Sequence, residues 1–157
     1  VNCKSYEEME KEAASVDAFR LYFRTPTYFS SLGSDFHWMF PDAEKVFCGL
    51  MRVWNLFSDS KRFGKDECQA YKDWLVKYVG VSEYQLWTRL EVMRRKKATG
   101  FMGWVTYELK DLESEWNKIT YMLAELAEYA NIGGNKTGGF GMTKFVPKGG
   151  RQKKGYV

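Results

Sequence analysis

The sequence predicts an α+β fold: a four-stranded antiparallel sheet with helices on one face and one inserted helix. Three observations carry this. Apolar residues alternate at period two in several stretches, as half-buried strands require. Other stretches repeat their apolar residues near a period of 3.6, as amphipathic helices do. The stretches follow one another as strand, helix, helix, strand, strand, helix, strand. With the extra helix set aside as an insertion, that order is β-α-β-β-α-β, the ferredoxin-like arrangement, which is also the layout of RRM-like sheets.

Residues 1–15 are polar and acidic, with Glu7, Glu8, Glu10 and Glu12, and read as a frayed arm or short helix. Phe19, Leu21 and Phe23 alternate on one face of a first strand, which Pro26 ends or kinks because proline donates no ladder hydrogen bond. Gly33 to Pro41 is a loop. Asp42 is placed to cap a helix whose stripe is Val46, Phe47, Leu50, Trp54 and Phe57. A second helix runs from about Asp66 to Val79 and shows Tyr71, Trp74, Leu75 and Tyr78 on one face. Tyr84–Val92 alternates again. Phe101–Leu109 follows, with Phe101, Val105, Tyr107 and Leu109 on one side and Trp104 on the other. Two strands around the short basic connection Arg94-Arg95-Lys96-Lys97 make a hairpin. Glu113–Ala130 is a helix with Ile119, Met122, Leu123, Leu126, Ala127 and Ala130 in register. A glycine-rich segment, 131–141, then leads to a last strand from Phe140 to Val146. The domain is expected over 16–147, with a basic tail over 148–157 (Lys148, Arg151, Lys153, Lys154).

Composition narrows the function classes. The 157 residues suit one domain. No run approaches the ~18 apolar residues of a membrane span, and no secretory signal is visible. Cys3, Cys48 and Cys68 are odd in number and lack C-x-x-C spacing. Free thiols in a reducing cytosol, hence a cytoplasmic location, are the expectation. A single histidine, His37, excludes sites built on two imidazoles. No cofactor motif is present. The chain starts at Val1, not Met, and is expected to be a processed product or part of something longer. The net charge is +4, yet from Arg89 onward it is +6, which leaves residues 1–88 at −2. That asymmetry points to a polyanion partner for the second half.

The glycine segment Asn131-Ile132-Gly133-Gly134-Asn135-Lys136-Thr137-Gly138-Gly139-Phe140-Gly141 is the most informative feature. Glycines allow backbone N–H groups to turn toward a phosphate, and Lys136 adds a mobile cation. The other reading is a tightly packed helix-to-strand connection. The segment fits neither a P-loop nor a dinucleotide fingerprint, because it leaves a helix and enters a strand. Arg94, Arg95, Lys96 and Lys97 can grip a nucleic-acid backbone or merely protect exposed strand ends. His37, in an aromatic loop, is the one candidate general base, although a packed or exposed loop histidine is the preferred reading. Trp87 and Trp104 leave the core pattern on neighbouring strands, where rings can stack bases or be covered by another element.

Four segments together resemble one family. Phe23-Arg24-Thr25-Pro26-Thr27-Tyr28-Phe29 is similar to its strand motif, an apolar residue followed by x-T/S-P-T-x-F. Residues 40–55 are similar to its P-D-x-x-x-V-F-x-x-L-x-x-x-W-N helix. Gly100-Phe101-Met102-Gly103-Trp104-Val105 resembles its G-F-x-G-x-V strand. Glu125–Ala130 and the glycine segment resemble its last helix and signature, G-apolar-G, five residues with a basic one, G-apolar-G. Asn131 stands for the first glycine and tolerates positive φ better than most residues. The family is the CRISPR-associated endoribonuclease that cuts repeat RNA into guide RNAs, within the RAMP superfamily.

The resemblance covers about 19–146 and implies the second of two tandem ferredoxin-like domains. It also implies metal-independent cleavage, in which a ribose 2′-hydroxyl attacks the adjacent phosphate to leave a 2′,3′-cyclic phosphate. The catalytic histidine would lie in a first domain. Here Asn131, Gly133, Gly134, Asn135, Lys136, Thr137, Gly138, Gly139 and Gly141, then Arg94 to Lys97, would contact CRISPR repeat RNA. Other CRISPR-associated proteins or fused domains are expected partners. The alternative is a non-catalytic RNA-binding or assembly subunit.

Overall fold

In the computed structural model, residues 5–147 other than Ser60, Arg95 and Asn135 are described. The elements are α1 (Tyr6–Glu12), β1 (Ala18–Thr27), α2 (Ala43–Phe57), α3 (Lys65–Tyr78), β2 (Val79–Met93), β3 (Lys96–Leu109), α4 (Glu115–Ala130) and β4 (Thr143–Pro147). The strands form one antiparallel sheet in the order β2-β3-β1-β4. This is the predicted ferredoxin-like arrangement, with α3 as the insertion.

Alternation puts Phe19, Leu21, Phe23, Phe101, Val105, Tyr107 and Phe145 on the buried side. There they meet Val46, Phe47, Leu50 and Trp54 of α2 and Met122, Leu123 and Leu126 of α4. Phe47 lies edge-on to both Phe19 and Tyr107, at 5.8 and 5.3 Å. The Tyr107 hydroxyl donates to the Pro41 carbonyl at 2.7 Å and so ties the start of α2 to the middle of the sheet. Burial raises the Tyr107 hydroxyl pKa well above its ordinary value. The opposite face of the sheet is open. On it the Arg20 guanidinium lies 3.7 Å above the Trp104 ring and donates to Thr106 and Glu83. Trp104 is thus covered from within the chain, whereas Trp87 is 53% exposed.

Several boundaries differ from the sequence reading. The N-terminal stretch is a helix started by a capping box, in which Ser5 and Glu8 satisfy each other's backbone N–H. Its Met9 is buried, and Tyr6 packs on Trp54 at 4.6 Å. Asp42 is the N-cap residue of α2, but its side chain makes no cap hydrogen bond. It is engaged by Trp38, and burial raises its carboxyl pKa. Phe57, in the last turn of α2, is 68% exposed. β2 starts at Val79 with no loop after α3, and α4 starts at Glu115, capped by Ser114. Phe140 is buried but precedes β4, which begins at Thr143, and its ring meets Tyr28 edge-on. Two of the four connection cations, Lys96 and Lys97, are already in β3.

Candidate nucleic-acid interface

The site begins with a distortion in β1. Strands β1 and β3 stay in register from Ala18↔Glu108 to Phe23↔Gly103, then slip before Thr27↔Phe101. Pro26 lies in that slip and cannot donate to the ladder. The carbonyls freed there turn to the glycine segment. Pro26 O accepts from Gly141 N at 3.0 Å, and Tyr28 O accepts from Gly134 N at 3.0 Å. The Thr25 hydroxyl accepts from Met142 N at 2.9 Å. Gly100 sits on the same backbone: a Cβ there would fall 2.5 Å from Thr27 N. The T-P-T, G-F-x-G and glycine-loop motifs therefore meet at one point of the fold.

The glycine loop is shaped by left-handed residues. Asn131 has φ 60°, the one positive value outside glycine among the described residues, and Gly133, Gly139 and Gly141 also lie there. The expected tolerance of Asn131 is realised, and its side-chain amide donates to Phe140 O at 3.2 Å. Of the two sequence readings of the loop, the tightly packed connection describes four of its backbone donors. Those of Ile132, Gly134, Gly139 and Gly141 bond to protein carbonyls at 2.9–3.0 Å. These four glycine-segment donors serve packing. What the loop holds out is Lys136, at the start of a 3₁₀ turn formed by Lys136–Gly138.

Beside the loop, α2 and α3 border a groove of about 760 Å³. The W-N pair that ends the α2 motif builds it. Trp54 Nε1 donates to Lys61 O at 2.8 Å. Asn55 clamps Phe63 from both sides, accepting from its N–H at 2.8 Å and donating to its carbonyl at 3.0 Å. Gly64 N then bonds Glu67 Oε1, and α3 runs back along α2. Lys45 and Arg52 of α2, Lys65 and Lys72 of α3, and Lys136 all line the groove with Asn131, Gly133 and Gly134. Glu44 is the acid in that lining, and it pairs with Lys72 at 3.3 Å. Burial and then the neighbouring Arg52 charge hold the Lys136 ammonium below its ordinary pKa. A groove lined by several cations is an electrostatically favourable place for an anion.

Sequence reasoning missed Lys45, Arg52, Lys65 and Lys72. It assigned the positive character to the second half, whereas these four belong to the acidic first half. The available signal was spacing: each pair is seven residues apart and so shares one helix face. Of the predicted residues, Thr137, Gly138 and Gly139 are exposed on the turn, and Gly141 is buried. Asn135, Arg95 and the 148–157 tail lie outside the described residues. Arg94 and Lys97 are exposed on the β2–β3 hairpin, and neither lines the groove. His37 is exposed and stacks on Tyr28. Cys48 and Cys68 are free thiols on the groove wall, and burial raises the Cys48 pKa. Among the described residues no three His, Cys, Asp or Glu side chains gather as a metal site. No helix among them is long and apolar enough to cross a membrane.

The fold and site together are a ferredoxin-like sheet with an anchored glycine loop beside a cation-lined groove. The sequence profile of the CRISPR-associated endoribonuclease Cas6 matches residues 21–143, and the chain belongs to that family. Comparison with the curated proteins finds no match. Solved structures share the fold. Thermus thermophilus Cas6 (TTHB231) superposes with TM-score 0.81 at 20% identity, covering 91% of this chain and 58% of its own. A Cas6 (TTHB231) product complex gives 0.82 at 22%, covering 92% and 56%. A partial Cas6-RT-Cas1–Cas2 complex gives 0.55 at 14%, covering 99% of this chain and 29% of that one. The chain thus spans a little over half the length of the Cas6 chains it matches.

Proposed function

We propose that this chain is the second ferredoxin-like half of an enzyme that binds CRISPR repeat RNA and processes precursor CRISPR RNA into guide RNAs. The observation that carries this is the meeting of three family motifs at the glycine loop, whose Lys136 faces Arg52 across a groove rich in cations. In this reading the half holds the repeat. Lys136, Arg52 and Lys45 neutralise phosphates, and the loop backbone fixes their place. The hairpin cations Arg94 and Lys97 add a second, exposed grip. Cleavage is metal-independent: a 2′-hydroxyl attacks the adjacent phosphorus, the 5′-oxygen leaves, and a 2′,3′-cyclic phosphate remains. The acid and base for those proton transfers come from a first half outside this chain. Fusion to further CRISPR-associated domains is compatible with a match that covers nearly all of this chain within a larger complex.

The alternative is a non-catalytic RNA-binding or assembly subunit, which keeps the fold to hold RNA and assigns no catalytic role to His37.

The test is incubation of labelled repeat RNA with this chain in EDTA, beside a scrambled RNA. Binding without a cut is the expected result, together with a single cut by the complete gene product. A complete product that binds but never cuts supports the subunit. A chain that binds no repeat overturns both readings, and a cut by this chain alone moves catalysis into it, with His37 as the candidate.

A further inference from the structure

Phe29 and Trp38 exchange backbone hydrogen bonds of 2.9 and 2.8 Å, closing a short ladder after β1. On such a ladder neighbouring side chains alternate between faces, so Tyr28 and His37 share the face opposite Phe29 and Trp38. Their rings lie 3.9 Å apart and within 5° of parallel. The glycine loop fixes the lower ring. Tyr28 meets Phe140 edge-on at 5.8 Å, and its ring would lie 2.7 Å from any Cβ added at Gly134. Its carbonyl accepts from Gly134 N. His37 is exposed. The result is a two-ring column supported by the loop and ending at a ring in solvent.

We propose that Tyr28 and His37 form a stacking platform on which one base of bound RNA continues the column. This rests on the RNA-binding reading above and adds to it a base contact where that reading has only phosphate contacts. Every base has a π-face, so an exposed, pre-stacked ring is a sequence-tolerant anchor. An aromatic surface would also suit a protein partner. RNA is favoured because Gly134 touches the platform and also lines the cationic groove, so that one loop links base and backbone contacts. Asp35, exposed two residues before His37, makes this a poor place for a phosphate and leaves recognition to the ring face.

The experiment uses repeat RNA carrying 2-aminopurine at successive single-stranded positions, titrated with the whole chain and with His37→Ala, His37→Phe and Lys136→Ala. One position is expected to be quenched on binding to the wild type and to His37→Phe. In His37→Ala that quench is lost and affinity falls about five- to tenfold. Lys136→Ala weakens binding but keeps the quench at saturation. Unchanged affinity and quench in His37→Ala, beside a weakened Lys136→Ala, overturn the platform alone. His37→Phe behaving like His37→Ala overturns stacking in favour of a hydrogen-bonding or proton role. No binding by the wild type overturns the RNA reading and the platform with it. His37 is exposed, so neither of its variants is expected to unfold the chain; their thermal unfolding is checked against the wild type.

Discussion

The glycine loop and the outer β2–β3 hairpin both carry positive charge, but they are held in opposite ways. The loop is fixed by Pro26 and Tyr28 carbonyls and by the Thr25 hydroxyl. From Leu90↔Thr99 to Met93↔Lys96 the hairpin is a ribbon in which β2 and β3 pair only with each other, past the last β1 rung at Phe101. Leu90 and Val92 are more than half exposed there. Glycines in the loop therefore report close packing, and cations in the ribbon report solvent. A substitution at a packed loop glycine should strike folding first, and one in the ribbon should strike only binding.

The sharpest way to break this contrast lies inside the loop. At Gly141 a Cβ would fall on the Ile132 carbonyl, and φ is +79°. Gly141→Ala should cost about 3 kcal/mol of stability, combining a clash with a left-handed alanine. At Gly139 φ is +89° but no atom lies within 4 Å of the added carbon. Gly139→Ala should therefore cost only about 1 kcal/mol. Denaturant unfolding of both variants measures the difference. Equal small losses would mean that the loop does not pack on its own backbone.

Lys136 separates holding the fold from holding RNA. Burial and Arg52 disfavour its charged form, so the fold carries a penalty that is full below the lowered native pKa and disappears as pH rises from there past the ordinary lysine value. Lys136→Ala should leave thermal stability intact or slightly higher. Repeat-RNA affinity should fall about tenfold, and the slope of log K against log salt should lose about 0.7, the share of one phosphate on a single strand. A lower melting temperature with unchanged affinity would make Lys136 a structural residue.

The fold was legible because its strands and helices show their periods directly; the residues misread were those whose burial depends on distant partners. Phe140 looked like a strand residue but lies before β4, buried with its ring edge-on to Tyr28. Phe57 continued the helical stripe past the point where Trp54 and Asn55 clamp the turn toward α3. Asn117 and Thr120 are buried though polar. Asn117 bonds the backbone of Val16, about 100 residues away, and Thr120 the hydroxyl of Tyr71 at 2.7 Å. No local pattern announces such partners. The same holds for the groove. The spacing of Lys45 with Arg52 and of Lys65 with Lys72 was in the sequence, but the contacts that bring the two helices together, the Trp54 and Asn55 bonds to residues 61–63 and the Glu44–Lys72 pair, were not. The glycine loop was legible as a motif, whereas the engagement of its N–H groups was not, because their acceptors arise from the slip at Pro26.

The smallest effects belong to the ribbon. Arg94 and Lys97 are exposed, and α2 and α3, which hold the groove, do not contact them through any hydrogen bond or ion pair among the described residues. An exposed cation on a solvated ribbon contributes through screened attraction to the RNA backbone and not through packing. Arg94→Ala and Lys97→Ala should each weaken repeat binding by about twofold at moderate salt, an effect that fades as salt is raised. Unfolding midpoints should stay within about 0.5 kcal/mol of the wild type. If either variant instead matched the loss in Lys136→Ala, the ribbon would be a grip of equal rank to the groove, and the contrast between a packed and a solvated site would no longer order the two by strength.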